Sequence, residues 1–269
     1  MIVFPNAKIN LGLQITERLP NGYHSINTCL YPIPITDALE VIPSKRTIFE
    51  SSGIEIPGNS KDNLVLKAYK LLKRDYPLPE LTIHLLKNIP MGAGLGGGSS
   101  DGAFMLSLLN EAFQLFLDDS ILEYYAEQLG SDCPFFIQNT PAIGTGTGTE
   151  LSPIKLSLSG YYLQLIKPEI HVSTQSAYAG VVPKKAPLNI EELLLSKDFD
   201  LWKESLVNDF EDSVFNQHPS LKSLKESLYL SGALYAAMSG SGSTIFGVFE
   251  KKPEPIDSSA FSFQEIIPL

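Results

Sequence analysis

Residues 90–100 of this chain are Pro90-Met91-Gly92-Ala93-Gly94-Leu95-Gly96-Gly97-Gly98-Ser99-Ser100. Apolar periodicity predicts a strand before them, at Leu81 to Leu86, and a helix after them, at Ser99 to Phe116. Glycines let a backbone approach a ligand closely, and a helix N-terminus presents unpaired N–H groups. A tight turn needs one or two glycines, whereas this loop has five within seven residues. The stretch therefore predicts a phosphate-binding loop.

Two nucleotide-binding patterns compete for this loop. The Walker A pattern is absent, because no Gly-Lys-Ser or Gly-Lys-Thr closes it. Gly92, Gly94 and Gly97 match the dinucleotide pattern GxGxxG, but that pattern belongs to the first βα turn of a parallel sheet. Here it lies far into the chain and directly after Pro90, which disfavours a dehydrogenase.

A hydrolase is a third interpretation of the same residues. Gly98, Ser100 and Gly102 match the nucleophile elbow GxSxG, with His171 and His218 downstream as conceivable bases. The elbow needs a strand that runs directly into the serine, yet a run of glycines precedes Ser100. The sequence therefore disfavours this reading too.

The rest of the chain alternates strands and helices without strict βαβ order, which favours an α+β fold. In the first half we predict a strand at Ile9 to Thr16, a turn at Asn21-Gly22, helices at Asp62 to Tyr76 and Ser120 to Leu129, and an extended segment at Pro134 to Ile137. In the second half we predict a strand at Tyr161 to Ile166, helices near Ile190, Leu201 and Leu221, and two antiparallel strands around residues 239–243. A glycine-threonine run at 144–148 suggests domains at 1–152 and 153–269.

Composition narrows the function classes. The chain has 269 residues and a net charge of −10, so no global positive field attracts nucleic acid or an anionic membrane. Cys29 and Cys133 lack CxxC spacing, and the N-terminus lacks a basic start followed by an apolar run. We expect reduced thiols in a cytoplasmic protein that binds neither nucleic acid nor membrane.

Three ordered motifs resemble those of the GHMP kinase superfamily: residues 5–11 (Pro-Asn-Ala-Lys-Ile-Asn-Leu), residues 90–100, and Ser239-Gly240-Ser241-Gly242. Within it, Lys8, Asn10, Gly22-Tyr23-His24, the GLGGGSS core and residues 130–136 resemble the kinases of 4-diphosphocytidyl-2-C-methyl-D-erythritol. The resemblance spans residues 3–249, and five motifs in order make it specific. The last twenty or so residues carry no motif that we can place.

The resemblance implies a two-domain α+β fold with the active site in the inter-domain cleft. It implies that ATP phosphorylates the 2-hydroxyl of the cytidyl substrate, in the non-mevalonate route to isoprenoid precursors. The cofactor implied is Mg²⁺, held mainly through phosphates with no protein metal site, in a cytoplasmic monomer or homodimer. Alternatives are another small-molecule kinase of the superfamily, or a non-catalytic nucleotide-binding regulator, which would have lost Lys8 or Asp132.

The resemblance also assigns roles to residues. Asp132 would be the catalytic base, and Lys8 would orient the hydroxyl. If neither had a functional role, Asp132 would be a solvated loop aspartate and Lys8 a surface lysine. Asn10 follows Lys8 by two residues on the same strand face and would bind substrate. Residues 90–100 would bind ATP, and Asn63 and Lys87 would lie near the adenosine or face solvent.

The remaining substrate contacts are aromatic or lie in the last glycine loop. Tyr23 would stack on the cytosine, His24 would hydrogen-bond it, and Tyr178 would be a second stacking ring. Gly240, Ser241 and Gly242 would also contact substrate. Ser99 and Ser100 are able to cap the following helix in any case. We interpret Cys133, next to Asp132, as a packed thiol.

Overall fold

The structure is a computed structural model that describes residues 1–184, 189–257 and 259–269. Its strands are β1 (Ile2–Val3), β2 (Asn6–Arg18), β3 (His24–Thr36), β4 (Ala38–Pro43), β5 (Ile48–Gly53), β6 (Leu81–Lys87), β7 (Ala142–Thr145), β8 (Glu150–Pro153), β9 (Tyr162–Pro168), β10 (Tyr235–Met238), β11 (Ile245–Phe249) and β12 (Phe261–Pro268). Its α-helices are α1 (Leu64–Asp75), α2 (Gly97–Ala112), α3 (Asp119–Glu127), α4 (Phe135–Gln138), α5 (Thr174–Ala179), α6 (Ile190–Ser196), α7 (Phe199–Ser205), α8 (Phe210–Gln217) and α9 (Pro219–Leu230). The predicted α+β class is confirmed.

The first of two compact units contains residues 1–8, 32–91 and 96–140. Its sheet has the order β1-β4-β6-β5, in which only the β5–β6 pair is parallel. Leu81, Ile83 and Leu85 of β6 alternate with more exposed residues and are buried, as the period of two requires for a sheet with one covered face. Helices α1 to α4 belong to the same unit, and α2 is buried along most of its length.

The second unit contains residues 9–31, 92–95 and 141–269. One sheet has the order β10-β11-β9-β12 and is antiparallel throughout. The sheet of order β2-β3-β7-β8 also lies mainly in this unit. The second unit has a hydrophobic core built from its strands, its helices and one connecting segment. It consists of Leu13, Ile15, Ile166, Val172, Ala177, Phe210, Val214, Leu221, Leu224, Leu228, Ala236, Met238, Ile245 and Phe249.

Strand β2 is buried on both faces from Ala7 to Ile15, whereas its alternating pattern predicts one polar face. In the second unit, the segment after α7 lies against β2 and covers part of the strand that the pattern predicts to be exposed. Leu13 N–H donates to the Val207 carbonyl at 2.9 Å, and Asp209 N–H donates to the Leu13 carbonyl at 2.8 Å. The Asp209 carboxylate also accepts from Ile15 N–H at 2.7 Å. The polar side chains of β2 therefore lie inside the protein, where they must be hydrogen-bonded.

Several predicted boundaries are wrong. Residues Pro134 to Ile137 are predicted as extended, but Pro134 is the N-cap of the short helix α4, and its φ of −57° suits the start of a helix. Helix α1 begins at Leu64 and not at the predicted Asp62, because Asn63 is its N-cap and accepts from Val65 N–H at 2.9 Å. Helix α2 ends at Ala112, short of the predicted Phe116.

The division into domains at residues 1–152 and 153–269 stays a prediction. The compact units described above have different bounds, because β2 and β3 each begin in one unit and end in the other.

Within the described parts of the chain, no helix has both the length and the apolar character needed to cross a bilayer.

Candidate active site

The tip of the phosphate loop packs against a second glycine loop. Gly94 has a φ of +76°, and a Cβ added there would lie 1.9 Å from the Ser239 carbonyl oxygen, so no other residue fits. Ser239 Oγ donates to the Gly94 carbonyl at 2.8 Å. Thr244 N–H donates to the Ala93 carbonyl at 3.3 Å. Residues 93–95 are therefore held in one conformation by the loop that joins β10 and β11.

Helix α2 begins where the phosphate loop ends. Gly96 is its N-cap, in the left-handed region at φ +71°, so the predicted caps Ser99 and Ser100 lie inside the helix instead. Gly96 has no side chain to satisfy the N–H groups of the first turn, which leaves them for an anion. A Cβ on Gly96 would lie 3.0 Å from Lys8 Cγ. The uncapped helix N-terminus thus lies next to Lys8.

Lys8 and Asp132, the predicted orienting lysine and catalytic base, lie close together in the first unit. Lys8 Nζ lies 3.4 Å from Asp132 Oδ2. The Lys8 side chain is 4% exposed and that of Asp132 is 39% exposed, so the pair is buried on one side and open on the other. Asp132 lies in the turn between Gly130 and α4, where Cys133 N–H donates to the Gly130 carbonyl at 3.1 Å. The alternative of a surface lysine is wrong for Lys8.

The second glycine loop is braced by a residue that the sequence analysis missed. Asn208 Nδ2 donates to the Met238 carbonyl at 2.7 Å and to the Gly240 carbonyl at 2.8 Å, on either side of Ser239. Asn208 Oδ1 accepts from Phe210 N–H at 3.0 Å, so every group of this buried amide has a partner. No motif identified this asparagine, because its partners are carbonyls far along the chain.

The other predicted substrate residues of the second glycine loop and of β2 are close to one another. A Cβ on Gly240 would lie 3.4 Å from Asn10 Oδ1. Asn10 is 4% exposed, and its Nδ2 donates to Thr28 Oγ1 at 3.0 Å. Ser241 Oγ lies 3.3 Å from Thr174 Oγ1. Gly242 is buried in the same loop.

The predicted aromatic residues differ in environment. Tyr23 follows the Asn21-Gly22 turn and is 67% exposed. The His24 and Tyr178 rings stack with centroids 4.8 Å apart at an interplanar angle of 17°. Tyr178 also meets the Phe210 ring edge-on at 4.8 Å. His24, predicted as a hydrogen-bond partner of the base, therefore occupies one face of Tyr178 in this structure.

Asn63 and Lys87, predicted near the adenosine, have different surroundings. Asn63 uses its side-chain oxygen to cap α1. Lys87 is 2% exposed, so the alternative that it faces solvent is wrong. Its ammonium group bonds the carboxylates of Asp37 and Asp101. Neither acidic residue was identified from the sequence. Both belong to the first unit, Asp37 between β3 and β4 and Asp101 in α2.

Neither Ser100 nor Cys133 is placed to act as a nucleophile. Ser100 is fully buried inside α2 and does not stand exposed at the end of a strand as a nucleophile elbow requires, so the hydrolase reading is wrong. Cys133 is also fully buried, and burial raises its pKa to about 12, which confirms a packed thiol. In the described ranges, no three His, Cys, Asp or Glu side chains form a group able to hold a metal ion.

Comparisons with known proteins find matches over most of the chain. The GHMP kinases N terminal domain family matches residues 63–140, and the GHMP kinases C terminal family matches residues 190–258. The chain is 52% identical to a 4-diphosphocytidyl-2-C-methyl-D-erythritol kinase from Parabacteroides distasonis over 262 residues, 97% of this chain and 96% of that protein. It is 53% identical to the kinase of the same name from Cytophaga hutchinsonii over 268 residues, 99% of each. A crystal structure of 4-(cytidine 5'-diphospho)-2C-methyl-D-erythritol kinase matches with a TM-score of 0.77 and 32% identity, covering 92% of this chain and 90% of the other.

Proposed function

This chain belongs to the 4-diphosphocytidyl-2-C-methyl-D-erythritol kinase family of the GHMP kinases, and from that premise we propose the reaction that it catalyses. ATP transfers its γ-phosphoryl group to the 2-hydroxyl of 4-diphosphocytidyl-2-C-methyl-D-erythritol. The products are ADP and the 2-phosphate, in the non-mevalonate route to isoprenoid precursors.

The observation that carries the proposal is the Lys8–Asp132 pair beside the N-terminus of α2. Its N···O separation is 3.4 Å, and Lys8 Cγ would touch a Cβ on Gly96. Asp132 accepts the proton of the 2-hydroxyl as that oxygen bonds to the γ-phosphorus. The bond from the γ-phosphorus to the bridging oxygen of ADP breaks. Lys8 orients the hydroxyl and the carboxylate and offsets negative charge on the transferred group.

The nucleotide phosphates bind on residues 90–100, with Asn63 near the adenosine and the buried Lys87 beneath the same loop. The uncapped first turn of α2 supplies N–H donors and the positive end of the helix dipole. Mg²⁺ would be held mainly by oxygens of the phosphates bound on this loop. When bound, it neutralises charge on the phosphates.

The cytidyl half of the substrate is bound by Tyr23, His24 and Tyr178, and Asn10 and residues 240–242 contact the remainder. Tyr23 supplies a ring that is 67% exposed and therefore accessible to a base. Tyr178 presents a ring whose stacking partner in this structure is His24. A cytosine placed on that face of Tyr178 would take over the contact, which leaves His24 to hydrogen-bond the base edge.

Tyr23→Ala is expected to weaken the cytidyl substrate by about tenfold, because a base–aromatic stack is worth about 1–3 kcal/mol. Tyr23→Phe should retain most of the affinity, since the ring and not the hydroxyl stacks. Isothermal titration calorimetry with the cytidyl substrate and with ATP separates the two sites. Unchanged substrate affinity in Tyr23→Ala would contradict the cytidyl assignment while the kinase reaction could still stand.

The reaction itself is tested by ADP release from ATP with a panel of alcohols: the cytidyl substrate, mevalonate, homoserine and galactose. We expect turnover with the cytidyl substrate and at least a hundredfold lower kcat/KM with the others, because a buried polar site discriminates strongly against a substrate that leaves it unpaired. Preference for another alcohol would indicate a different small-molecule kinase. ATP binding without ADP release for any of them would indicate a regulator.

A further inference from the structure

A buried acidic residue holds the entrance of the phosphate loop. Asp37 lies between β3 and β4 and is 1% exposed. Its Oδ1 accepts from the backbone N–H of Asn88 and, at 2.9 Å, from that of Ile89. Its other oxygen bonds the ammonium group of Lys87. One carboxylate thereby fixes the three residues that lead into Pro90.

The same lysine reaches the exit of the loop. Lys87 Nζ lies 2.7 Å from Asp101 Oδ2, and Asp101 is 3% exposed in α2. A Cβ on Gly97 would lie 3.3 Å from Lys87 Nζ, so the ammonium group sits directly beneath the first turn of the helix. Three side chains therefore connect residues 87–89, before the loop, with residues 97–101, after it.

The charges of these three side chains balance when one carboxyl is protonated. The pKa of Asp101 is raised to about 8, chiefly by burial; Lys87 opposes the rise and the Asp37 carboxylate adds to it. Asp101 Oδ1 has no hydrogen-bond partner within the described residues, and an unpaired buried carboxyl oxygen costs less free energy in a neutral group than in a charged one. With Asp37 and Lys87 charged, the group as a whole is neutral. A neutral group does not repel phosphates bound on the loop above it.

We propose that Asp37, Lys87 and Asp101 form a positioning cluster that holds both ends of the phosphate loop at the spacing that nucleotide phosphates require. The cluster acts through the loop backbone, and the Lys87 ammonium group touches the two carboxylates and not the nucleotide. The inference rests on the proposed function of residues 90–100. It explains why a lysine that would suit a phosphate contact is instead fully enclosed.

The test compares ligands in Asp37→Asn, which has one acceptor oxygen where the carboxylate has two. If that oxygen stays with the backbone N–H groups of Asn88 and Ile89, the amide N–H₂ faces the Lys87 ammonium group; in the opposite orientation, the two N–H groups lose their shared acceptor. We expect affinity for ATP and for inorganic triphosphate to fall by the same factor, about tenfold or more, because a displaced loop backbone loses at least one hydrogen bond to the charged phosphates. Affinity for the cytidyl substrate should stay within about twofold by calorimetry. A purely structural role would instead lower all three affinities in proportion to the folded fraction.

Glu80→Gln is the matched control, because Glu80 bonds Lys73 and Thr47 near the surface of the same unit. It makes the same carboxylate-to-amide change away from the loop, and we expect unchanged affinity for triphosphate. Equal triphosphate affinity in folded Asp37→Asn and in the wild type would overturn the inference.

Asp101 provides a second test should Asp37→Asn fail to fold. Asp101→Asn keeps an oxygen that accepts from Lys87 and resembles the protonated carboxyl, so triphosphate affinity at pH 7 should stay within about threefold. Asp101→Leu removes the acceptor and should weaken triphosphate by about tenfold. Equal affinities in the two variants would overturn the inference. A wild-type protein that binds no ATP would instead overturn the proposed function, so the two failures are distinguishable.

Discussion

Asp132→Asn is expected to lower turnover by about a hundredfold or more, while ATP affinity stays within about twofold. The amide keeps the size of the side chain but does not accept the hydroxyl proton, and a general base contributes about 10²–10⁴-fold. Steady-state ADP release at saturating ATP and cytidyl substrate measures the loss. The amide oxygen of the asparagine still accepts from the buried Lys8 ammonium group, so the thermal midpoint should fall only slightly.

The control for this variant is Asp62→Asn in the same unit. Asp62 also faces a lysine, with Lys67 Nζ at 3.8 Å, but it lies on an exposed turn before α1. We expect wild-type turnover there. Turnover of folded Asp132→Asn within threefold of the wild type would rule out Asp132 as the base. A tenfold loss would indicate that positioning outweighs proton abstraction, as a loose phosphoryl-transfer transition state permits.

Gly98→Val is expected to weaken ATP by about a hundredfold without unfolding the protein. A Cβ at Gly98 meets no atom within 4 Å, and Gly98 lies inside α2 with a φ in the ordinary helical range. The side chain would enter the space over the first helical turn where phosphates are proposed to bind. Loss of two hydrogen bonds to a charged group, at about 1.5 kcal/mol each, corresponds to about a hundredfold.

Calorimetry with ATP, together with thermal unfolding, checks this prediction. Gly96 is a poorer position for the test, since φ +71° and contact with Lys8 would strain the unliganded chain as well. Affinity for the cytidyl substrate is the internal control and should be retained. If Gly98→Val kept wild-type ATP affinity, the phosphates would have to bind elsewhere than on the N-terminus of α2.

The sequence predicted best those features that are local. The glycine loop between β6 and α2 has a strand pattern before it, a helix pattern after it, and glycines between them. The strands at 235–238 and 245–249 were predicted as an antiparallel pair for the same reason, since the short glycine loop brings them together. Lys8 and Asp132 were paired only through the family resemblance, because no local pattern joins residues so far apart.

The features that the sequence did not reveal depend on distant partners. Strand β12 pairs with β9, as in Ile267 with Leu163, but the residues from 261 to 268 carry no motif that names this partner. Asn208 and Asp37 act on backbone groups of other segments, and any asparagine or aspartate has the same appearance in one sequence. Lys87 is buried because its charge pairs with two carboxylates, and only the fold determines where those carboxylates lie.

The path of β2 bears on how such kinases can be recombined. Residues 6–8 of this strand belong to one compact unit and residues 9–18 to the other, and residues 92–95 lie in the second unit while their neighbours on both sides lie in the first. A chimaera made with one crossover point between two relatives would therefore combine pieces of both parents inside a single unit. Exchange of a whole unit requires several crossovers, one of them between Lys8 and Ile9. In such a chimaera Lys8 comes from one parent and Asn10 from the other. Residues proposed to bind substrate and residues proposed to catalyse the reaction can therefore come from different parents.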